Sequence, residues 1–212
     1  MLSKGHACPA LYAVLADRGY FPKDLLWTLR KLGSPLQGHP QMGLAGIEIS
    51  SGSLGQGLSI ADGIALALRM DGIGSRVYCL MGDGETNEGQ IWEAAMTASH
   101  YKLDNVCGII DCNKLQIDGF CCEVKDPGTY KHKWQDFGWN AVEVNGHDIK
   151  DLIEAFDRAE RVKDKPTVII AHTVKGKGVS FVENKAEWHG IAPKKEEYER
   201  AIMELDEALK QL

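Results

Sequence analysis

Apolar residues along the chain follow two periods. Unbroken runs fill 77–81 (VYCLM) and 106–110 (VCGII), a third centres on VIIA within 166–173 (PTVIIAHT), and 141–144 (AVEV) reads as a shorter strand. Runs of this length, bounded by glycine, proline or polar residues, predict buried strands. Between them the apolar positions recur at helical spacing. Ile91, Ala94, Ala95 and Ala98 share one side of a helix over 89–101, and Ile149, Leu152, Ile153 and Phe156 share one side of another that Asp148 caps. Further helices are expected over 9–16, 21–32 and 127–137, and from the glycine-rich turn at 52–57 to about residue 70. The last of these is apolar nearly all round, so burial on every side is expected. Residues 47–51 alternate apolar and polar, and Tyr198, Ile202, Leu205 and Leu209 mark an amphipathic closing helix. Strands alternating with helices predict an α/β fold: a doubly wound, mainly parallel sheet with helices on both faces.

The stretch 77–119 carries the chemistry. Its first strand stops at Gly82-Asp83-Gly84, where glycines permit a turn that a Cβ would obstruct. Asp83 therefore stands at a strand's carboxyl end, and Asn113, thirty positions on, stands past the next strand. A right-handed strand–helix–strand unit brings both ends to one edge of the sheet, where open α/β sheets bind ligands. A carboxylate, an amide oxygen and backbone carbonyls are hard donors suited to Mg²⁺, which borrows further oxygens from phosphates. A metal-bridged diphosphate uses every part. For the residues alone, the alternative is a plain turn at Asp83 and a loop residue at Asn113.

Composition narrows the classes. Hydrophobic content of 44% with 25% charged residues is ordinary for a soluble globular chain, and 212 residues suit one domain. The net charge of −6 and the scattered lysines give no nucleic-acid footprint. No apolar run approaches the roughly 18 residues of a membrane helix, and Asp17 and Arg18 interrupt any signal peptide. A cytoplasmic protein is expected. Its six cysteines form no CxxC pair and read as reduced structural thiols, with Cys121-Cys122 a loop pair.

Gly82-Asp83-Gly84, the helix after it and Asn113 resemble the thiamine diphosphate motif, which opens with GDG and closes on a downstream asparagine. The wider text GDGETNEGQIWEAA and DCNKLQIDG is similar to the transketolase branch of that superfamily, as are SKGHACPALYA, LQGHP, GSLGQG and HTVKGKGVSFVENKAEWHG. The resemblance implies the thiamine diphosphate-binding fold. It implies that Asp83, the Asn113 side chain and the Leu115 carbonyl hold Mg²⁺, with Ca²⁺ or Mn²⁺ as substitutes. Gly52, Ser53, Leu54, Gly84 and Asn113 would contact the cofactor, together with Lys4 and Lys175. His6, His39 and His189 are the implied catalytic histidines, and His6 and His189 would also reach the cofactor. Glu88 and Glu93 match glutamates of a subunit interface and proton path.

Without that context each of these residues has a plainer reading. His6 would be a structural hydrogen-bonding group, His39 a turn histidine held by Pro40, Lys175 part of a solvated loop, GSLGQG a tight packing turn, and Glu88 and Glu93 a surface helix face. His147, beside the cap at Asp148, reads as structural.

The implied activity is transfer of a two-carbon ketol unit from a ketose to an aldose, on sugars or sugar phosphates of carbohydrate metabolism such as the pentose phosphate pathway. Residues 1–212 correspond to a single diphosphate-binding domain. The family's pyrimidine-binding and C-terminal domains, and an SGHPG-like segment that would precede Leu2, are expected to be absent. The chain is therefore expected to be half of a split enzyme, working with a pyrimidine-domain transketolase subunit in a homodimer or higher oligomer. The alternative is a truncated cofactor-binding module with weak, altered or no activity of its own. A nicotinamide Rossmann domain is disfavoured because no GxGxxG follows a strand.

Overall fold

In the computed structural model, which describes residues 1–211, the predicted apolar runs pair as one parallel sheet. Its strands are β1 (Val77–Gly82), β2 (Val106–Cys112), β5 (Asn140–Asn145) and β6 (Thr167–His172), in the order β1-β2-β6-β5. Two short strands, β3 (Leu115–Gln116) and β4 (Gly119–Phe120), form a separate antiparallel pair after β2.

The strands' pleat decides which helices cover which face. Val77, Cys79 and Met81 of β1 point to the side covered by α2 (Gln56–Met70), α3 (Gly89–His100) and α5 (Tyr130–Asp136). Tyr78 turns to the other side, where α6 (Ile149–Arg161) packs Ala155 and Ala159 against Cys107, Val144 and Ile169. Helices on both faces follow from the direction of travel. The chain moves outward from β1 to β2 and on to β5, then returns inward to β6. Right-handed crossovers put α3 and α5 on one face and α6 on the other. The helix α1 (Cys8–Asp17) builds a satellite core around Tyr12 and Leu36.

Several expectations are corrected. Residues 21–32 form only a six-residue 3₁₀ turn, Lys23–Thr28. The chain leaves it through Arg30, whose φ of 60° is left-handed and whose N–H donates to the Leu36 carbonyl at 2.7 Å. That closure folds the segment back before a helix can extend. The helix α2 is buried along one stripe only, through Leu58, Ala61, Asp62 and Ala65, while Ile60 and Met70 are exposed. It lies on one face of the sheet, and its outer side is exposed. Residues 127–129 stay outside α5, because Gly128 takes a positive φ and donates to Asp126 Oδ1 at 2.8 Å. In α6 the core stripe runs through Leu152, Ala155, Phe156 and Ala159, leaving Ile149 and Ile153 exposed. The alternating segment 47–51 is irregular, and its Ser51 N–H donates to the Pro40 carbonyl at 3.2 Å. The helices α4 (Cys121–Val124) and α7 (Lys195–Leu209) complete the chain, and α7 buries no residue. It rests on the loop before it, with Glu204 accepting from Ser180 and Arg200 stacked 4.7 Å from the Phe181 ring.

All six cysteines are free, and burial pushes the Cys79 and Cys107 thiols up to about 12, which makes them inert. Cys121 is buried and Cys122 exposed. Among the described residues no helix is long and apolar enough to cross a membrane.

Trp134 is fully buried between Trp92 at 5.1 Å and Trp139 at 4.8 Å. Trp134→Ala should cost about 3–5 kcal/mol, seen as a lower urea midpoint at an unchanged slope. An unaltered midpoint would show that this aromatic stack contributes nothing.

Candidate active site

The carboxyl ends of β1, β2 and β6 stand side by side. Gly82 pairs with Asp111 and Cys112 with His172, so Asp83, Asn113 and Thr173 leave the sheet at one edge. Asp83 is 2% exposed. Its Oδ1 accepts the Gly84 N–H at 2.8 Å and its Oδ2 accepts the Lys114 N–H. Its own N–H donates to the Asp111 carbonyl at 3.3 Å. Burial pushes this carboxyl above its ordinary range, while the two N–H donors pull it back. An ionised group in that setting favours a nearby cation.

The Asn113 amide is oriented by its neighbours. Its Oδ1 accepts the Leu115 N–H at 3.0 Å and its Nδ2 donates to Asp111 Oδ2 at 3.2 Å. Asp111, which sequence reasoning missed, is a hub. It accepts from Asn113, from the Thr173 hydroxyl and from the Lys4 ammonium. Burial raises its carboxyl, but the Lys4 charge and these donors outweigh burial and hold it below the ordinary value. Lys4, expected at the cofactor, is thus engaged by Asp111, with 15% of its side chain exposed. Lys175 has no ion-pair partner among the described residues. Burial, then the Lys4 charge, lowers its ammonium.

His6 and His189 stack with ring centroids 5.2 Å apart and planes at 25°. Partial burial lowers both imidazoles, helped by Lys4 and Lys175 at His6 and by Lys175 and His6 at His189. Each should therefore titrate below 6.5 in a histidine NMR titration, and Lys175→Ala should move both midpoints up. A midpoint at or above 6.5 for either ring would contradict this electrostatic picture.

The loop at 52–54 meets both the His6 and the His39 segments. A Cβ on Gly5 would lie 2.7 Å from Gly52 N, and one on Gly52 would lie 3.0 Å from the His39 ring. Only glycine permits this approach. The His39 loop is held from below by Tyr12, whose hydroxyl is 3.1 Å from both the Gln37 and His39 carbonyls. Ser53 and Leu54 are exposed at the loop's tip. Glu88 precedes α3 without a capping side-chain hydrogen bond and Glu93 follows on its exposed side; among the described residues neither side chain forms a hydrogen bond or ion pair with this cluster. His147 is structural, its Nε2 accepting the Val174 N–H at 2.7 Å just before Lys175.

The residues fit a diphosphate and a divalent cation. Among the described residues Ser51 Oγ, Gln116 Nε2 and His189 Nδ1 are buried without a partner. Such atoms are costly unless a polar ligand satisfies them. A Cβ on Gly84 would come within 3.0 Å of Gln116 Cβ, so bare backbone faces that gap. Among the described residues no three His, Cys, Asp or Glu side chains converge on a metal position. A cation would therefore combine Asp83 with the amide and carbonyl oxygens of Asn113 and Leu115 and with ligand oxygens, the mixed hard set that Mg²⁺ takes.

Fold and site together define an α/β domain with a parallel sheet whose strand ends gather Asp83, Asn113 and Thr173 at one edge. Residues 1–206 match the family described as "Transketolase, thiamine diphosphate binding domain". The chain is 44% identical over 212 residues to one subunit of the apulose-4-phosphate transketolase of Phocaeicola vulgatus, covering all of this chain and 75% of that protein. It is 44% identical over 206 residues to Homo sapiens transketolase, covering 97% of this chain and 33% of that one. Among solved structures, Campylobacter jejuni transketolase shares the fold with a TM-score of 0.91 at 33% identity, over 97% of this chain and 33% of that chain. The chain belongs to the transketolase family, a family of transferases, through its thiamine diphosphate-binding domain. It spans three quarters of the Phocaeicola vulgatus relative and a third of the longer transketolases.

Proposed function

We propose that this chain, as one diphosphate-binding domain over 1–212, supplies the cofactor- and metal-binding half of a two-subunit transketolase. The observation that carries the reading is the meeting of Asp83, Asn113, Lys175 and the stacked His6–His189 pair at one sheet edge, in a chain whose similar relative is named as one subunit of a transketolase. Asp83, Asn113 and the Leu115 carbonyl hold Mg²⁺. Gly52, Ser53, Leu54, Gly84 and Lys175 hold thiamine diphosphate, with Lys4 acting through Asp111. When bound, that cofactor supplies the electron sink for breaking and re-forming a carbon–carbon bond beside a carbonyl. His6, His39 and His189 orient the sugar hydroxyls, and the two stacked rings, kept neutral, can take up a proton. Glu88 and Glu93, exposed in this chain, face the other half of the enzyme and carry protons there. That partner brings the pyrimidine-binding domain, so the working enzyme is at least a dimer, acting on sugars or sugar phosphates in the cytoplasm.

The reading is tested by calorimetry of thiamine diphosphate with and without Mg²⁺, then by mixing the chain with its pyrimidine-domain partner. Metal-dependent binding and ketol transfer between a ketose and an aldose are expected. Binding without turnover beside a proven partner would reduce the chain to a cofactor-binding module.

A further inference from the structure

Two residues past Asp83, in the 3₁₀ turn Gly84–Asn87, stands a second carboxylate that is nearly sealed from solvent. Glu85 is 3% exposed. Its Oε1 accepts the Ser3 hydroxyl and the Gly55 N–H, the latter at 3.0 Å, and its Oε2 accepts the Gly82 N–H at 2.9 Å. The donors come from three separate segments. Ser3 begins the one that carries Lys4 and His6, Gly55 closes the loop of Gly52, Ser53 and Leu54, and Gly82 precedes Asp83.

The packing leaves these segments little slack. Gly55 has a φ of 85°, and a Cβ there would lie 2.6 Å from Glu88 Cβ. A Cβ on Gly57 would collide with the Ser3 side chain. No Lys or Arg pairs with Glu85 among the described residues, so neutral donors alone satisfy this carboxylate. An ionised carboxylate suits that task because both of its oxygens only accept. An amide has one accepting oxygen and an NH₂ that donates, so glutamine would set a donor against a donor whichever way it turned.

We propose that Glu85 is a positioning residue of the cofactor site, holding the His6 segment, the 52–54 loop and the Asp83 turn in register before any ligand binds. What those loops hold rests on the function proposed above; the tie itself does not. Holding first-contact loops in place lowers the ordering cost of binding.

The test uses Glu85→Gln and Ser3→Ala in the full chain, with two readouts. Hydrogen exchange of the ligand-free protein should rise about tenfold in peptides covering 3–8 and 52–58 of Glu85→Gln, as expected for one lost charged hydrogen bond, while β2 peptides stay unchanged. The Kd for thiamine diphosphate with Mg²⁺ should rise by about the same factor. Ser3→Ala should raise exchange in 3–8 alone, with a smaller loss of affinity. A folded Glu85→Gln with parental exchange in both peptides overturns the proposal, as does a rise that includes β2, which would mark a general structural role. If Glu85→Gln does not fold, Ser3→Ala decides, and no local rise in 3–8 overturns the tie. If the parent chain binds no cofactor, the proposed function fails while the exchange result still decides the role of Glu85.

Discussion

Asp83→Ala should weaken metal-dependent binding of thiamine diphosphate about a hundredfold while leaving the chain folded. In the proposed donor set Asp83 is the one carboxylate, so its loss would remove that set's formal negative charge and leave Asp111, which is paired with Lys4, as the neighbouring acid. Losing one partner of a buried, hydrogen-bonded charge contact costs about 3 kcal/mol, roughly a hundredfold in affinity. The fold has reason to survive. Alanine orphans the Gly84 and Lys114 N–H groups, but it also removes a carboxylate whose ionisation burial opposes. Calorimetry with Mg²⁺ present should show the loss, with the thermal midpoint as a control. Parental affinity in the folded variant would mean that the metal is held elsewhere.

Asp62→Asn should stabilise the chain, and the gain should depend on pH. Asp62 sits in the buried stripe of α2, between Ala61 and the next-turn Ala65, and is 3% exposed. Among the described residues neither carboxylate oxygen has a hydrogen-bond partner. Burial raises its pKa from 3.8 to about 7. The folded state therefore keeps a proton that the unfolded chain gives up earlier. Below 3.8 both states are protonated and the group costs little through ionisation. Between 3.8 and about 7 unfolding is increasingly favoured, and above about 7 the full penalty is present. By linkage that penalty is on the order of 4 kcal/mol. Removing the charge should raise the melting temperature at pH 8 by roughly 10 °C for a chain of this size, and by much less at pH 5. Equal melting temperatures for variant and parent at pH 8 would show that Asp62 is solvated or paired in solution.

The strands and the Asp83 turn were legible because their signals are local. Runs at 77–81 and 106–110 became Val77–Gly82 and Val106–Cys112, and the helix over 89–101 became Gly89–His100. Alternation of those elements was enough to place Asp83 and Asn113 at one edge, since a right-handed crossover leaves no other arrangement. The motifs around His6, His39, Lys175 and His189 were legible by resemblance. The structure adds that His6 and His189 stack and that Lys4 reaches Asp111.

Other features were not legible. The segment over 21–32 has helical spacing, yet the Arg30–Leu36 hydrogen bond ends it in a 3₁₀ turn. The apolar helix after residue 56 reads as buried all round, yet how many layers cover a helix depends on the rest of the fold. Glu85 and Asp111 looked like ordinary acids beside a motif. Their partners lie 82 positions away at Ser3 and 107 at Lys4, beyond the reach of any periodic pattern.

From residue order alone came the α/β class, the strand ends and the donor chemistry of Asp83 and Asn113, because side-chain period and turn residues act over a few neighbours. Folding in three dimensions settled which carboxylates find donors. Glu85 meets three and the partly buried Asp111 meets three, whereas Asp62, as buried as Glu85, meets none among the described residues. The cost of a buried charge depends on groups brought in from distant parts of the chain.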